Sequence, residues 1–265
     1  MTKTILITGA TDGIGLETAR RLGAAGHRLC VHGRGADKLA VALAELPETA
    51  EGYLADLSDF AEVQKLIAEI GRAHGQLDAL INNAGVFKTP DLMAANGIEL
   101  RFMVNTLAPY LLTLGLMPLL GTSGRVVNLS SAAQAPVTLS AMTGTPQLSL
   151  MEAYSQSKLA ITVWTQALAA RHPEGPLFVS VNPGSLLATK MVKQGFGVAG
   201  SDLGVGAQVL CDAALSETFE GRSGAYFDND AGRFNSPHPA AADAAQTAAL
   251  MAQLDAMVAP YLPAA

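Results

Sequence analysis

Cysteine is nearly missing from this chain. The two present, Cys30 and Cys211, stand far apart with no cysteine or histidine at ligand spacing. That excludes a disulfide framework and a zinc site, and it suits a reducing compartment such as the cytoplasm. Basic residues are scarce too: 17 Lys and Arg against 23 Asp and Glu leave a net charge of -6, so no positive field invites nucleic acid. Long apolar runs are also lacking. The most apolar stretch, LLTLGLMPLL at 111–120, falls short of the roughly 20 residues a membrane span needs, and Pro118 is expected to end a buried helix there. Five histidines, His27, His32, His74, His172 and His238, are scattered without a partner at ligand spacing, so no role is assigned to them and no metal is expected. The opening MTKTILITGATDGIG runs straight into a strand and a glycine turn, which leaves no space for a secretion signal.

What the chain does have is aliphatic sequence. With 49% hydrophobic residues over 265 positions it can bury a large core as one domain, residues 1–265. Short aliphatic runs at Thr4–Thr8, Arg28–His32, Ala79–Asn82, Arg125–Leu129 and Phe178–Asn182 read as buried strands. Between them lie segments of helical spacing at Gly15–Ala25, Ala36–Leu46, Ser58–His74 and Gly97–Leu116. Strands alternating with helices imply an α/β, doubly wound parallel sheet of Rossmann type. Near the end, Leu250, Leu254 and Val258 form a stripe at helical spacing, expected to pack on the core. Two segments, about 132–153 and 186–206, are irregular and rich in Gly, Ser, Thr and Met. They are expected on the substrate side as covers.

After the first strand comes Gly9-Ala10-Thr11-Asp12-Gly13-Ile14-Gly15, and then Leu16, Ala19, Leu22 and Gly23 at helical spacing. A glycine turn between strand and helix lets the backbone approach a pyrophosphate, which the free N–H groups and dipole of the helix N-terminus then hold. The spacing Gly-x3-Gly-x-Gly departs from the usual dinucleotide fingerprint, because Thr18 stands at its last glycine. An ordinary tight turn is therefore the bland alternative. The second strand ends at His32-Gly33-Arg34 with no carboxylate to receive the ribose hydroxyls of NAD. Arg34 can instead pair with a 2′-phosphate, and Gly33 is expected to leave space for it. That favours NADP (NADPH), with a solvated surface charge as the alternative for Arg34. Tyr154 and Lys158 share one face at the start of a segment that continues through Leu159, Ile161, Val163, Trp164 and Leu168. A lysine there stabilises phenolate and lowers the tyrosine pKa, making the phenol a usable acid or base.

At this point the ordered motifs resemble the short-chain dehydrogenase/reductase family along the whole chain. TGATDGIG at 8–15 is similar to its glycine turn, Asp56-Leu57 to its adenine-binding pair, and Asn82-Asn83-Ala84-Gly85 to its NNAG strand end. Asn105 in MVNTLAPYLL, Ser131 closing VVNLSS, Tyr154 with Lys158, and the turn Pro183-Gly184 complete the series. The resemblance implies that Tyr154 is the acid/base and that Lys158 lowers its pKa and holds the nicotinamide ribose. It further implies that Ser131 bonds the substrate oxygen and Asn105 supports a proton relay. Gly9, Thr11, Asp12, Gly13, Ile14, Gly15, Arg34, Asp56, Leu57, Asn83, Ala84, Gly85, Tyr154, Lys158, Pro183 and Gly184 would then hold the cofactor.

Departures exist. Ser131 and Tyr154 stand farther apart than in typical members, which keeps Ser130, Ser140 and Ser149 open as alternatives to Ser131. That insertion, SKLA after the tyrosine, and GAYFDN at 224–229 are similar to the retinol-dehydrogenase-like branch. Thr189 comes one position later than usual after Pro183-Gly184. Asn105 has an alternative as a buried cap of neighbouring backbone, and Asp56 as the cap of a helix beginning at Leu57 or Ser58.

The expected function is oxidoreduction of a small-molecule carbonyl or alcohol. An apolar substrate is suggested by Met142, Leu148, Leu150, Met151, Met191, Val192 and Phe196 in the presumed covers. A non-catalytic nucleotide sensor on the same fold would be expected to have lost the tyrosine or lysine, and both are present. An isomerase or dehydratase on this scaffold remains as a third reading, and a homo-oligomer stays open because exposed helices of this fold often pair.

Overall fold

The protein is described here from a computed structural model covering residues 1–185, 187–188, 200 and 202–262. Among the described residues eight strands form one sheet: β1 Thr4–Ile7, β2 Arg28–Gly33, β3 Glu51–Leu54, β4 Ala79–Asn82, β5 Arg125–Leu129, β6 Leu177–Asn182, β7 Tyr226–Asp228 and β8 Arg233–Asn235. Their order is β3-β2-β1-β4-β5-β6-β7-β8. All neighbours run parallel except β7 and β8, which pair antiparallel. The helices are α1 Gly13–Ala24, α2 Ala36–Leu43, α3 Phe60–Ala73, α4 Leu100–Leu120, α5 Leu150–Arg171, α6 Leu203–Leu215 and α7 Ala244–Val258.

Successive strand side chains point to opposite faces, so each strand feeds two cores. Ile5, Ile7, Ile81, Val127 and Val179 face α1 and α6, whereas Leu6, Leu80, Val126 and Phe178 face α3, α4, α5 and α7. This is the single-domain, doubly wound α/β sheet that the sequence implies. Chain order reverses between β1 and β4, and at such a switch point the crossovers leave on opposite faces, opening a crevice beyond the carboxyl ends of the strands.

Several elements differ from expectation. The strands β3, β7 and β8 were not legible. β3 is a four-residue edge carrying Glu51 and Gly52, and β7 and β8 have three residues each, too short to show a period. Helix α3 begins at Phe60, where Asp59 accepts from Ala61 N. Asp56 is therefore not its cap. Its Oδ1 instead accepts from Ser58 N at 2.9 Å and Ser58 Oγ at 2.7 Å, closing the preceding turn.

Helix α4 contains a π turn at Met103–Leu107 and runs through Pro118 to Leu120. Pro118 does not end it, because a proline removes only one donor, and Gly121 (φ 57) makes the stop. By length and composition α4 could cross a membrane, with mean hydropathy 1.5, yet 72% of that window is buried inside this fold.

Helix α5 starts four residues before Tyr154, at Leu150. Ser149 caps it, with Glu152 reaching back to Ser149 N in a reciprocal pair. Helix α7 buries Leu250, Met251, Leu254 and Val258 on the core as the stripe indicated.

Candidate active site

A cavity of about 390 Å³ occupies the crevice beyond the strand ends. Gly9, Thr11, Asp12, Gly13, Ile14, Gly15, Arg34, Asp56, Leu57, Asn83, Ala84, Gly85, Pro183 and Gly184 all line it, together with Ser131, Tyr154 and Lys158. Residues scattered from 9 to 184 thus meet on one surface. Thr189, Met191, Val192 and Phe196 lie outside the described residues, as does most of the segment 186–206.

The glycine turn is built for close approach. Gly9 has φ +63, and a Cβ there would stand 2.8 Å from the Ala84 Cα. The turn is stapled to the end of β4: Asn83 Nδ2 donates to the carbonyls of Thr8 (2.8 Å) and Gly9 (3.0 Å), and Ala84 N donates to Thr8 Oγ1 (3.1 Å). Asp12 caps α1 by accepting from Gly13 N at 2.7 Å. At the other flank Gly33 does not leave open space, as expected from sequence. The Thr11 methyl fills the volume its side chain would take, while Arg34 beyond it is exposed and lines the cavity.

At the opposite end, Ser130 and Ser131 both line the cavity, and Ser131 is the one beside the Tyr154 phenol. Its Oγ accepts from Ala133 N at 3.1 Å, and it hydrogen-bonds the Tyr154 phenol. The alternatives are committed elsewhere. Ser130 Oγ bonds Lys158 O and Thr162 Oγ1 inside the core, Ser140 sits in a one-turn helix at Leu139–Thr143, and Ser149 caps α5. Lys158 is buried, and its Nζ donates to Leu129 O at 2.7 Å and lies 5.7 Å from the centre of the Tyr154 ring. Burial pushes this ammonium down to about 8, so it stays charged at neutral pH.

Tyr154 departs from the sequence expectation of a lowered pKa. Burial holds the phenol above its ordinary range, and the Ser131 hydrogen bond opposes that only in part. The phenol is accordingly in its proton-donating form at neutral pH. Phe87 meets its ring edge-on at 5.2 Å.

Asn105 does not line the cavity. It is fully buried in the π turn, where Oδ1 accepts from Val86 N (2.8 Å) and Nδ2 donates to Val86 O (2.9 Å) and Ser157 Oγ (3.0 Å). Its side chain therefore props the Gly85–Val86 wall, the capping alternative that the sequence left open.

In the segment 132–153, Leu150 and Met151 begin α5, with Met151 exposed, and the earlier apolar residues turn away from the cavity. Met142 is fully buried in the main core, and Val137, Leu139 and Leu148 pack against that core. Gln253 of α7 donates to Leu139 O at 3.0 Å. Val137 and Leu139 lie beside Leu159 and Val163 of α5 and Leu250 of α7. None of them lines the cavity.

Sequence reasoning missed four residues that shape the site. His32 lines the cavity, and Arg101 donates from Nη1 to Phe87 O at 3.2 Å. Tyr226 OH and Gln134 Nε2 both donate to the Ser131 carbonyl, at 3.1 and 2.9 Å. His32 beside the strand-end Arg34 was the one visible signal; the others carry none.

A parallel sheet whose first crossover holds a glycine turn, with a tyrosine, a lysine and a serine at the far end of the same cavity, defines a nicotinamide-dependent oxidoreductase. The chain belongs to the short chain dehydrogenase family, whose profile matches residues 3–196. It is 34% identical to retinol dehydrogenase 12 of Bos taurus over 246 residues, 86% of this chain and 78% of that one. Against the chloroplastic short-chain dehydrogenase TIC 32 B of Brassica napus it is 31% identical, over 84% of this chain and 79% of the relative. Among solved structures, an uncharacterised protein of Mycobacterium paratuberculosis superposes with a TM-score of 0.82 at 27% identity, covering 99% of this chain and 95% of that one.

Proposed function

We propose that the chain is an NADP-dependent oxidoreductase that moves a hydride between nicotinamide and a carbonyl or alcohol, with Tyr154 as the acid/base. The observation that carries this reading is the single cavity running from Arg34 at the end of β2 to Ser131, Tyr154 and Lys158. No carboxylate stands at the β2 end, and the turn at Gly9–Gly15 brings free helix N–H groups to the middle. When bound, the nicotinamide supplies or takes up the hydride. In reduction, negative charge growing on the substrate oxygen is met by the Ser131 hydroxyl and the Tyr154 phenol, which then gives up its proton. Lys158 carries two further N–H donors beyond its bond to Leu129 O, available to a ribose and to the charge left on Tyr154. Asn105 holds Val86 and Ser157, and so keeps this wall in place. Val86, Val104 and Leu187 line the cavity and suit an apolar substrate. With Cys30 and Cys211 both free thiols, a reducing setting such as the cytoplasm fits.

The test is cofactor preference under a panel of apolar aldehydes and ketones, followed by NADPH absorbance. NADPH is expected to bind more tightly than NADH, and Arg34→Ala to shrink the difference by roughly ten- to a hundredfold, the worth of a charge-assisted hydrogen bond. Equal affinities in the unaltered protein would overturn the NADP assignment.

The lysine supplies a pH prediction with a definite sign. Lys158 is protonated below about 8 and neutral above it, so the positive charge that supports Tyr154 disappears as pH rises. The quantity kcat/KM, which reports groups of the free enzyme, should therefore fall on the alkaline side of pH 8. Lys158→Arg should move that fall to higher pH, since guanidinium does not titrate there. An alkaline limb that stays put in the arginine variant would assign it to another group.

A further inference from the structure

His32 lines the cavity yet takes no part in the chemistry above. Its ring is 2% exposed. Nδ1 accepts from Gly9 N at 3.1 Å, and Nε2 lies 3.0 Å from Ala55 O. A carbonyl can only accept, so Nε2 carries the hydrogen and the imidazole is neutral with one tautomer locked. The backbone of the same residue takes part too, because its carbonyl accepts from Ala10 N at 3.0 Å. Gly9 opens the glycine turn, and Ala55 immediately precedes Asp56-Leu57. The strands β1 and β3 both flank β2, and past their ends one backbone bond on each side still reaches β2, from Ala10 N to His32 O and from Ala55 N to Gly33 O at 3.2 Å, to which the His32 ring adds its own two contacts.

We propose that His32 is a positioning residue for the cofactor, a rigid two-ended imidazole that sets the separation between the pyrophosphate turn and the adenine-side loop. This rests on the reading that NADPH lies along the cavity. No smaller polar side chain does the same work. Asparagine places an acceptor where Nδ1 is and reaches Gly9 alone, and glutamine places a donor where Nε2 is and reaches Ala55 alone. An apolar residue leaves both a buried N–H and a buried carbonyl unpaired.

Protonation would spoil the arrangement, because imidazolium has no acceptor for Gly9 N–H. Burial holds the His32 pKa below its ordinary value, against the Ala55 hydrogen bond and the Asp56 carboxylate, which both favour the charged ring. The other ionisable groups around it are Asp12 and Arg34 on the cavity wall, and Tyr53, its register partner on β3. Cys30 lies two residues back on the same face of β2, bonded to His74. A base whose folded pKa is depressed contributes fully above its unfolded value and loses that contribution as pH falls through the folded one. The turn should thus loosen on the acid side of about 6.5, the ordinary imidazole value.

The experiment titrates NADPH by fluorescence into the unaltered protein and into His32→Leu, His32→Asn and His32→Gln. Exchange of the Gly9 amide is measured alongside in each cofactor-free protein and corrected for its intrinsic rate. His32→Leu is expected to weaken NADPH binding and raise its KM about tenfold or more, with each polar variant recovering part of the loss. In the same variant kcat at saturating NADPH should change by less than about twofold, since the reacting groups lie at the far end. Gly9 protection should fall in the leucine variant. It should also fall in the unaltered protein below about pH 6.5, while the asparagine variant, which has nothing to titrate, keeps one value across that range. Wild-type NADPH affinity in His32→Leu, or a kcat loss matching the KM change, would overturn the proposal. If the unaltered protein fails to bind NADPH at all, the cofactor reading falls, and Gly9 protection then decides alone: the acid-linked loss upholds the His32 bridge, and unchanged protection removes it.

Discussion

Tyr154→Phe is expected to lower kcat for carbonyl reduction by roughly 10²- to 10⁴-fold, the range for removing a positioned general acid. The substitution deletes one hydroxyl and keeps the ring, whose edge-on contact with Phe87 at 5.2 Å holds it in the cavity wall. What disappears is the proton that burial retains on the phenol and the hydrogen bond to Ser131. Lys158 keeps its bond to Leu129 O, so NADPH affinity by fluorescence titration should change little. Single-turnover reduction of a bound carbonyl reads the chemical step directly. A rate within about tenfold of the unaltered protein would remove Tyr154 as the acid, because a water proton would then suffice.

The second large effect is on stability and comes from a buried ion pair in the first turn of α4. Glu99 and Arg101 are 4% and 1% exposed and bonded to each other. Glu99 Oε2 also accepts from Arg101 N (2.8 Å) and Phe102 N (3.1 Å), capping α4, while Arg101 Nη1 donates to Phe87 O (3.2 Å) and Thr89 Oγ1 (3.3 Å). Removing one partner strands the other charge in the core. Arg101→Met is therefore expected to lose about 3–5 kcal/mol in denaturant unfolding. The double variant Glu99→Gln with Arg101→Met should lose less than the sum of the two single ones, since neither leaves an unpaired charge behind once both are gone. Additive losses, or a single loss below about 1 kcal/mol, would show that the pair is not the lock it looks like. Because Arg101 anchors the Phe87 backbone and Phe87 supports the Tyr154 ring, kcat should fall in Arg101→Met even at temperatures where it remains folded.

How much of this was legible in the sequence varies from residue to residue. The central strands β1, β4, β5 and β6 were readable because they are buried on both faces and leave unbroken aliphatic runs. The edge and hairpin strands were not, since Glu51–Leu54 is half exposed and carries no aliphatic run, and Tyr226–Asp228 has only three residues. The glycine turn, Asp56-Leu57, the NNAG strand end and the Tyr154–Lys158 pair were found because their residue types and order are themselves the signal. Ser131 was preferred over Ser130, Ser140 and Ser149 because it closes a strand, and the structure adds that Ser130 bonds into the core and Ser149 caps a helix. In the segment 132–153, expected as a cover for substrate, Met142 goes to the core and Val137, Leu139 and Leu148 pack against it: apolar residues in an irregular stretch do not announce what they will pack against.

By itself the sequence determined the fold class, carried the resemblance to the family, and nominated site residues of which all but Asn105 line one cavity. The fold class follows from local chemistry, hydrophobic period and glycine at a turn, while the family and the site residues are what the order of the motifs implies by resemblance. Tertiary structure alone decided which polar atoms those residues have left to use. Asn105 spends its amide on Val86 and Ser157, Met142 goes to the core, the Gly33 gap is filled by Thr11, and His32 spans two loops, at Gly9 and Ala55, each 23 residues from it in sequence. Hydrogen-bond valence and burial are properties of neighbours brought together by folding, and a side chain's type fixes only how many partners it can take.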